Sequence, residues 1–292
     1  MHTHPPEAPL PAATSPWRPP ALIQASVAHH AAAAAALVAM PGQWPWIAGS
    51  LALNHAVLTA AGLWPRSTCL GQNMLRLPPS AARLRQISIT LDDGPDPEVT
   101  PAVLDLLDVH GAKATFFCIA GRARQHAALC REIVRRGHSV QNHSRDHSHN
   151  FSLLGPTGLR REIGAAQQIL TEITGQAPRF FRAPAGLRNP LLAPVLHRLG
   201  LTLVSWSRRG YDTVQRHPAK VLARLTAGLR PGAILVLHDG NAARSADRRP
   251  VVLEVLPALL RECEAQGLRP ATLDEAAAPP VHAAIARTEV VA

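Results

Sequence analysis

From Gln86 onward the chain alternates short apolar runs with amphipathic segments, and no other feature restricts its folding as much. Residues 87–91, 113–119, 138–142, 179–183, 201–206, 233–237 and 268–272 read as strands, with helices filling the gaps. One helix starts at Thr100, read as an N-cap before Pro101 at the first helical position, and stops before Gly111. A second spans about 122–136 and ends at Gly137, and a third runs over about 157–174 and ends at Gly175. Strands alternating with helices argue for a parallel sheet with crossover helices, because parallel neighbours need long connections. Seven such units can close into an α/β barrel.

Chemically unlike blocks fall just past these strands. Thr90-Leu91-Asp92-Asp93-Gly94-Pro95 ends the first, and His143-Ser144-Arg145-Asp146-His147 follows the third. Arg182-Ala183-Pro184-Ala185-Gly186 ends the fourth, Trp206 and Asp212 follow the fifth, and Leu235-Val236-Leu237-His238 ends the sixth. Barrel enzymes hold their chemistry at the C-terminal ends of the strands, so these residues would converge on one mouth. Packing residues have no reason to keep such a phase.

The blocks supply complementary chemistry. His143 and His147 are four apart, a spacing that on a helical turn aims two imidazoles at one metal ion. Alone, such a pair is commonly two surface histidines, and Asp-Asp before Gly-Pro is commonly turn chemistry. Together they make a two-histidine, one-carboxylate site with open positions. Pattern alone does not decide which of Asp92 and Asp93 is the ligand and which the base. His138, at the start of its strand, reads as structural, and His149 as neighbouring or solvent-facing.

In this order and spacing the blocks resemble the polysaccharide deacetylase family (carbohydrate esterase family 4, the NodB-homology domain) over about residues 86–275. The resemblance implies a distorted (β/α)7 barrel and a divalent ion, usually zinc with cobalt, nickel or manganese possible, on Asp93, His143 and His147. It implies Asp92 as general base, Arg182 as its orienting partner, His238 as general acid and Asp212 as the carboxylate that keeps His238 charged. Trp206 and Leu237 would wall the acyl pocket, with Pro184 and Gly186 beside the substrate. Four residues depart from the family pattern: Leu91 and Ala185 replace common aromatics, Arg209 a common acid, and Thr213 a frequent Trp. The implied reaction removes an N-acyl group, acetyl first, from an amino sugar in a glycan, with deformylation or deacetylation of a lipid-linked amino sugar as the alternative. A catalytically silent carbohydrate-binding barrel is the reading from another class, and such a chain would be expected to have lost Asp92 or a metal ligand.

The first 64 residues have another texture. Residues 1–20, rich in Pro, Ala and His, read as a disordered leader. Residues 21–40 and 44–64 are apolar, lack Lys, Arg, Asp and Glu, and are each about the 20 residues that span a bilayer. Gln24, His29 and His30 interrupt the first, and Asn54 and His55 weaken the second, which has tryptophans at both ends. They are expected to form a membrane hairpin, a single anchor or a buried helical extension. A cleaved signal peptide fits poorly, since no basic residue lies near Met1. Residues 65–85 read as a basic linker and 276–292 as a flexible tail.

Thirty Lys and Arg against 20 Asp and Glu give +10, nearly all from arginine, since Lys113 and Lys220 are the only lysines. This balance suits phospholipid headgroups or phosphate-linked sugars. With 4% aromatics and no zinc-finger spacing, nucleic acid is not expected as a partner. Cys69, Cys118, Cys130 and Cys263 form no C-x-x-C pair, which leans towards a reducing compartment. With Arg18 before the apolar pair and Arg66, Arg76, Arg83 and Arg85 after it, a hairpin is expected to keep both ends, and the barrel, on the cytoplasmic face of the inner membrane.

Overall fold

The computed structural model describes residues 16–278. The expected leader and tail lie mostly outside the described residues. Two apolar helices come first, α1 (Ala21–Ala39) and α2 (Trp44–Leu63), followed by a short helix, α3 (Pro79–Arg83). The next elements are β1 (Gln86–Asp92), α4 (Thr100–Val109), β2 (Ala114–Cys118), α5 (Ala120–Gln125), α6 (Ala127–Arg135), β3 (Ser139–Asn142) and α7 (Pro156–Thr174). After these come β4 (Phe180–Phe181), α8 (Leu192–Arg198), β5 (Thr202–Leu203), β6 (Arg208–Arg209), α9 (Pro218–Thr226) and β7 (Ile234–His238). The last are α10 (Val251–Ala265), β8 (Arg269–Pro270) and α11 (Leu273–Ala276).

All strand pairings are parallel, in the order β5-β4-β3-β2-β1-β7-β6, with β8 beside the start of β1. The sheet curls into an open barrel: no ladder joins β5 to β6 among the described residues. The supposed linker fills part of this gap. Met74 bridges Val204 beyond β5, Arg76 bridges Ala233 before β7, and Leu77 N donates to Gly232 O at 2.9 Å. Leu77 and Ala81 are buried in one cluster with Phe117, Phe180, Val204 and Ile234. Residues 65–85 are therefore part of the barrel's packing, which their arginines concealed in the sequence.

Strand alternation divides the side chains into two layers. Ile89, Leu91, Leu235 and Leu237 point outward into a core with Leu104 and Leu107 of α4, Val221 and Leu225 of α9, and Leu256 and Leu259 of α10. Thr90, Asp92, Val236 and His238 take the opposite, inward phase. Leu91, where an aromatic is common, is thus a packing residue under the helices.

The helices follow their apolar spacing. Leu159, Ile163, Ala166 and Leu170 make the buried stripe of α7, and Gly175 ends it at φ 71°. Two expectations are corrected. Thr100 is the first residue of α4 and not its cap: Asp96 Oδ1 accepts from Glu98 N and Val99 N, while the Thr100 hydroxyl is committed to Asp239. The expected helix over 122–136 breaks at His126 into α5 and α6.

α1 and α2 form an antiparallel hairpin through the turn at 40–43, largely unburied. Some of the polar residues in the apolar runs pair across the hairpin. Asn54 Nδ2 donates to Ser26 Oγ at 2.9 Å, and the Nε2 atoms of His30 and His55 lie 3.3 Å apart.

Leu77→Ala discriminates a structural segment from a linker. Emptying a buried leucine site should cost about 2–5 kcal/mol in urea unfolding. A loss of less than about 0.5 kcal/mol, the size of ordinary surface effects, would return the segment to the status of a linker.

Candidate active site

The sheet register sets the first pair. Asp92 and His238 are partners across β1 and β7, so two side chains 146 positions apart in sequence enter the mouth at one level. One residue later Asp93 takes φ 72°, a left-handed conformation that Asp tolerates better than most residues. This turn separates the two adjacent carboxylates into different environments.

Asp92 faces Arg182. The guanidinium Nη1 donates to Asp92 Oδ1 at 2.5 Å and to Thr90 Oγ1 at 2.7 Å, and Nη2 donates to Ser205 O at 3.1 Å. Arg182 is 1% exposed and lies over the Phe117 ring at 4.1 Å. A guanidinium cannot give up its proton in a protein, so one oxygen of Asp92 always faces a positive charge.

Asp93 faces the histidines. Its Oδ1 lies 3.2 Å from His143 Nε2 and 3.3 Å from His147 Nε2, and the three candidate ligand atoms lie within 4.8 Å of one another. That Oδ1 is buried and has no hydrogen-bond partner, while Oδ2 accepts from Asn241 Nδ2 at 3.0 Å. Burial opposes ionisation of Asp93, but the close His143 imidazole, with His238 and His147 behind it, holds the carboxyl well below the usual carboxylate range. Burial and the neighbouring His143 push the His147 pKa down, which favours the neutral ring that a metal requires. His143 Nδ1 lies 2.8 Å from Arg182 O; a carbonyl only accepts, so Nδ1 donates and Nε2 keeps its lone pair for the centre. Two imidazole nitrogens and an unpartnered carboxylate oxygen converging in this way fit a divalent ion.

The two histidines do not share a helical turn. His143 follows the end of β3, and Ser144 at φ 67° and His147 at φ 52° bend the loop so that both rings converge. Neither neighbouring histidine joins them. His138 accepts from Ala114 N through Nδ1, with burial pushing its pKa down to about 4, and His149 is exposed.

His238 is held by Asp212, which is 0% exposed. Asp212 Oδ1 lies 2.9 Å from His238 Nδ1, and Oδ2 accepts from His238 N at 2.8 Å. Nδ1 therefore carries a proton towards Asp212, and Nε2 is left for the cleft. Burial works against the imidazolium, but the charge and hydrogen bond of Asp212, then Asp92 and Asp93, outweigh it and raise the His238 pKa above its ordinary value. Next to it, burial pushes the Asp239 carboxyl up to about 7; Thr100 Oγ1 donates to its Oδ2 at 2.6 Å.

Asp92, Asp93, His143, His147 and His238 line a cleft of about 210 Å³ with Ala183, Ala185, Gly186, Trp206, Arg209, Thr213, Val236 and Asn241. Trp206 and Gly186 stand where expected. Leu237 and Pro184 do not: both are buried outside the cleft lining, Leu237 among the helices. With His238 in the mouth, period-two alternation puts Val236 on its face and Leu237 on the other. Asn241 and Arg122 were missed in the sequence. Arg122 donates to Asp93 O and to Asn241 Oδ1, bracing Asp93 from behind. Asn241 sits in an Asp-Gly-Asn turn, which reads as turn chemistry, and Arg122 carries no local signal.

Residues 81–204 match the family model described as polysaccharide deacetylase, a span that includes Asp92, Asp93, His143, His147 and Arg182. A chitooligosaccharide deacetylase of Azorhizobium caulinodans is 38% identical over 165 residues, covering 55% of this chain and 78% of that protein. The peptidoglycan-N-acetylglucosamine deacetylase PgdA of Listeria monocytogenes is 32% identical over 197 residues, 68% of this chain but 40% of that longer protein. Among solved structures, a family 4 carbohydrate esterase from Streptomyces lividans, in complex with acetate, superposes with a TM-score of 0.58 at 29% identity, over 64% of this chain and 92% of that one. Sequence likeness across most of a curated relative, together with the same curled parallel sheet, makes this chain a member of the polysaccharide deacetylase family.

Proposed function

We propose that the chain is a metal-dependent hydrolase that removes an N-acyl group, acetyl first, from an amino sugar in a glycan. The observation that carries this reading is the convergence of Asp93, His143 and His147 between two separately supported groups, Asp92 on Arg182 and His238 on Asp212. Chitooligosaccharides and peptidoglycan, named for the relatives, share an N-acetylated amino sugar, and the Streptomyces lividans structure holds acetate.

Asp93, His143 and His147 would hold one divalent ion, with zinc the first choice for this donor set and cobalt, nickel or manganese able to replace it. When bound, such an ion supplies Lewis acidity that lowers the pKa of water and polarises an acyl carbonyl. The chain's own groups move the protons. Asp92, held by Arg182, accepts the proton of the attacking water, and His238 Nε2 gives a proton to the departing amine nitrogen. Opposed environments on two groups in one mouth separate the base from the acid. Trp206 and Val236 give the acyl group an apolar wall.

Purified protein should contain one equivalent of metal, lose activity to a chelator and regain it with zinc or cobalt. His143→Ala and His147→Ala should each abolish stoichiometric binding. A fully active, metal-free preparation would sink the reading.

Asp92→Asn should keep the metal yet lose about 10²–10⁴-fold in rate, the usual worth of a positioned acid or base. Asp212→Asn tests the acid. His238 is active while protonated, and Asp212 raises its pKa. Losing that charge should move the alkaline limb of the rate profile to lower pH. An unmoved limb would remove His238 from the acid role.

α1 and α2 span the inner membrane in this reading, with the barrel on its cytoplasmic face. Arg18 precedes the hairpin, Arg66, Arg76, Arg83 and Arg85 follow it, and the turn at 40–43 has no charge, which satisfies the positive-inside rule. A cytoplasmic reporter fused after Ala292 should be active and alkaline phosphatase at the same site silent. The reverse pattern would refute this orientation.

A further inference from the structure

The apolar hairpin is built into the rim of the catalytic cleft. Arg188 N donates to Gly62 O at 3.2 Å, and the Arg188 guanidinium donates to Ser67 O. Ser205 Oγ donates to Pro65 O at 2.7 Å, and Asn73 Nδ2 donates to both Pro65 O and Ser67 O at 3.0 Å. The surfaces meet closely. A Cβ on Gly62 would lie 2.2 Å from Arg188 O, and one on Gly186 would lie 2.7 Å from Pro65 Cβ and 2.8 Å from Trp206 Cη2. Gly186 and Trp206 line the cleft, and the Ser205 carbonyl receives Arg182. The end of α2 is thus locked to the loops that hold Arg182, the residue that positions Asp92.

The mouth itself presents apolar side chains. Outside residues 21–64, the exposed large apolar residues among those described are Leu84, Val109, Leu153, Leu191, Tyr211 and Val214. The last four stand in loops that follow β3, β4 and β6, at the strand ends where the cleft opens. Leu153 and Val214 are 81% and 74% exposed, on loops at the same end of the sheet as the cleft.

Arg209 supplies a third, independent observation. It lines the cleft with its guanidinium over the rings of Trp206 at 5.1 Å and Tyr211 at 5.0 Å, and its Nε is buried without a hydrogen-bond partner. An unanswered buried donor on a cation is costly unless a ligand completes it. The fork of a guanidinium matches the oxygens of a phosphate.

On the N-deacylase reading given above, we infer that the cleft works against a membrane surface, on an N-acyl amino sugar carried on lipid through phosphate, with Arg209 receiving the phosphate. Helices of 19 and 20 residues are about 30 Å long, matching the hydrocarbon thickness, so Pro65 and the adjoining Gly186 stand at headgroup level. Leu153, Leu191, Tyr211 and Val214 then meet the interface instead of open water. Arg18 and Arg66, both exposed at the hairpin's ends, meet anionic headgroups.

The test uses the full, metal-loaded chain in phospholipid vesicles. It is given polyprenyl-pyrophosphoryl N-acetylglucosamine in the same vesicles, N-acetylglucosamine 1-phosphate in solution and tetra-N-acetylchitotetraose in solution. The lipid-linked sugar should be turned over with at least about tenfold higher kcat/KM than either soluble compound, a margin expected when surface and phosphate contacts act together. Leu153→Asp with Val214→Asp should cut lipid-linked turnover about tenfold while leaving chitotetraose within about twofold, as loss of an interfacial contact requires. Arg209→Gln should raise KM for both phosphorylated compounds, since it removes the cation for phosphate. Equal or better turnover of chitotetraose would overturn the inference and leave the deacylase reading standing. Preference for the soluble phosphate over the lipid-linked sugar would overturn the membrane assignment. Hydrolysis of none of the three would sink the deacylase reading and this inference with it.

Discussion

The buried Arg182 guanidinium is the interaction on which both barrel and site depend. It reaches Thr90 and Asp92 on β1, the carbonyls of Val204 and Ser205 after β5, and the Phe117 ring on β2, while its own carbonyl receives His143. Burial pulls its pKa below the ordinary value and the Asp92 charge pushes the other way. A charge taken out of water is costly unless its donors are answered, and here they are answered by groups from several strands. The constraint runs in both directions. Arg182 fixes where Asp92 points, and the strand ends can take only an arrangement that satisfies Arg182. Stability and catalysis are therefore hard to separate at this residue, whereas Asp212 and His238 form a more local pair.

The arrangement of charges follows from one geometric rule. β1 and β7 are parallel partners, so Asp92 and His238 share a level, and everything else serves to give them different neighbours. Arg182 stands on one side and Asp212 on the other. The left-handed turn at Asp93 takes the second carboxylate away from Arg182 and delivers it to two histidines. Adjacent aspartates thereby gain distinct partners instead of competing for one, as two like charges sharing a site would do.

Much of this was legible because the strand ends carry chemistry in sequence order. Seven expected strands, the apolar helices, Gly175 as a stop and the site residues Asp92, Asp93, His143, His147, Arg182, Asp212 and His238 all stand where the blocks put them. The failures have separate physical causes. Leu237, which the resemblance implies as a pocket wall, lies among the helices because the residue before an inward His238 must point outward, and Val236 takes the wall. The helical turn inferred from the spacing of His143 and His147 was wrong because positive φ at Ser144 and His147 brings the rings together by another path. The segment at 65–85 looked like a linker because its arginines dominate its composition. Yet Arg76 donates to Pro231 O, and Arg85 to Gly267 O and Gln266 O, so these cations close the barrel's seams. Contacts between distant segments, such as Arg122 of α5 with Asn241, leave no local pattern at either end.

The hairpin shows why polar residues within apolar runs are poor evidence taken one helix at a time. Ser26, His30, Asn54 and His55 each weaken a span that must face lipid alone, because an unanswered polar group in hydrocarbon is costly. In the antiparallel pair they face one another, Asn54 on Ser26 and His30 on His55, while Gln24 stays exposed near the start of α1 and donates to Pro19 O. Each helix thus answers polar groups of its partner that it would leave unanswered alone. The end of α2 is in turn held by Arg188, Ser205 and Asn73 at the rim of the cleft. Polar contacts inside the hairpin fix its helices to each other, and those at the end of α2 fix the hairpin to the rim of the cleft, so the angle between hairpin and barrel is set by the loops that also position Arg182.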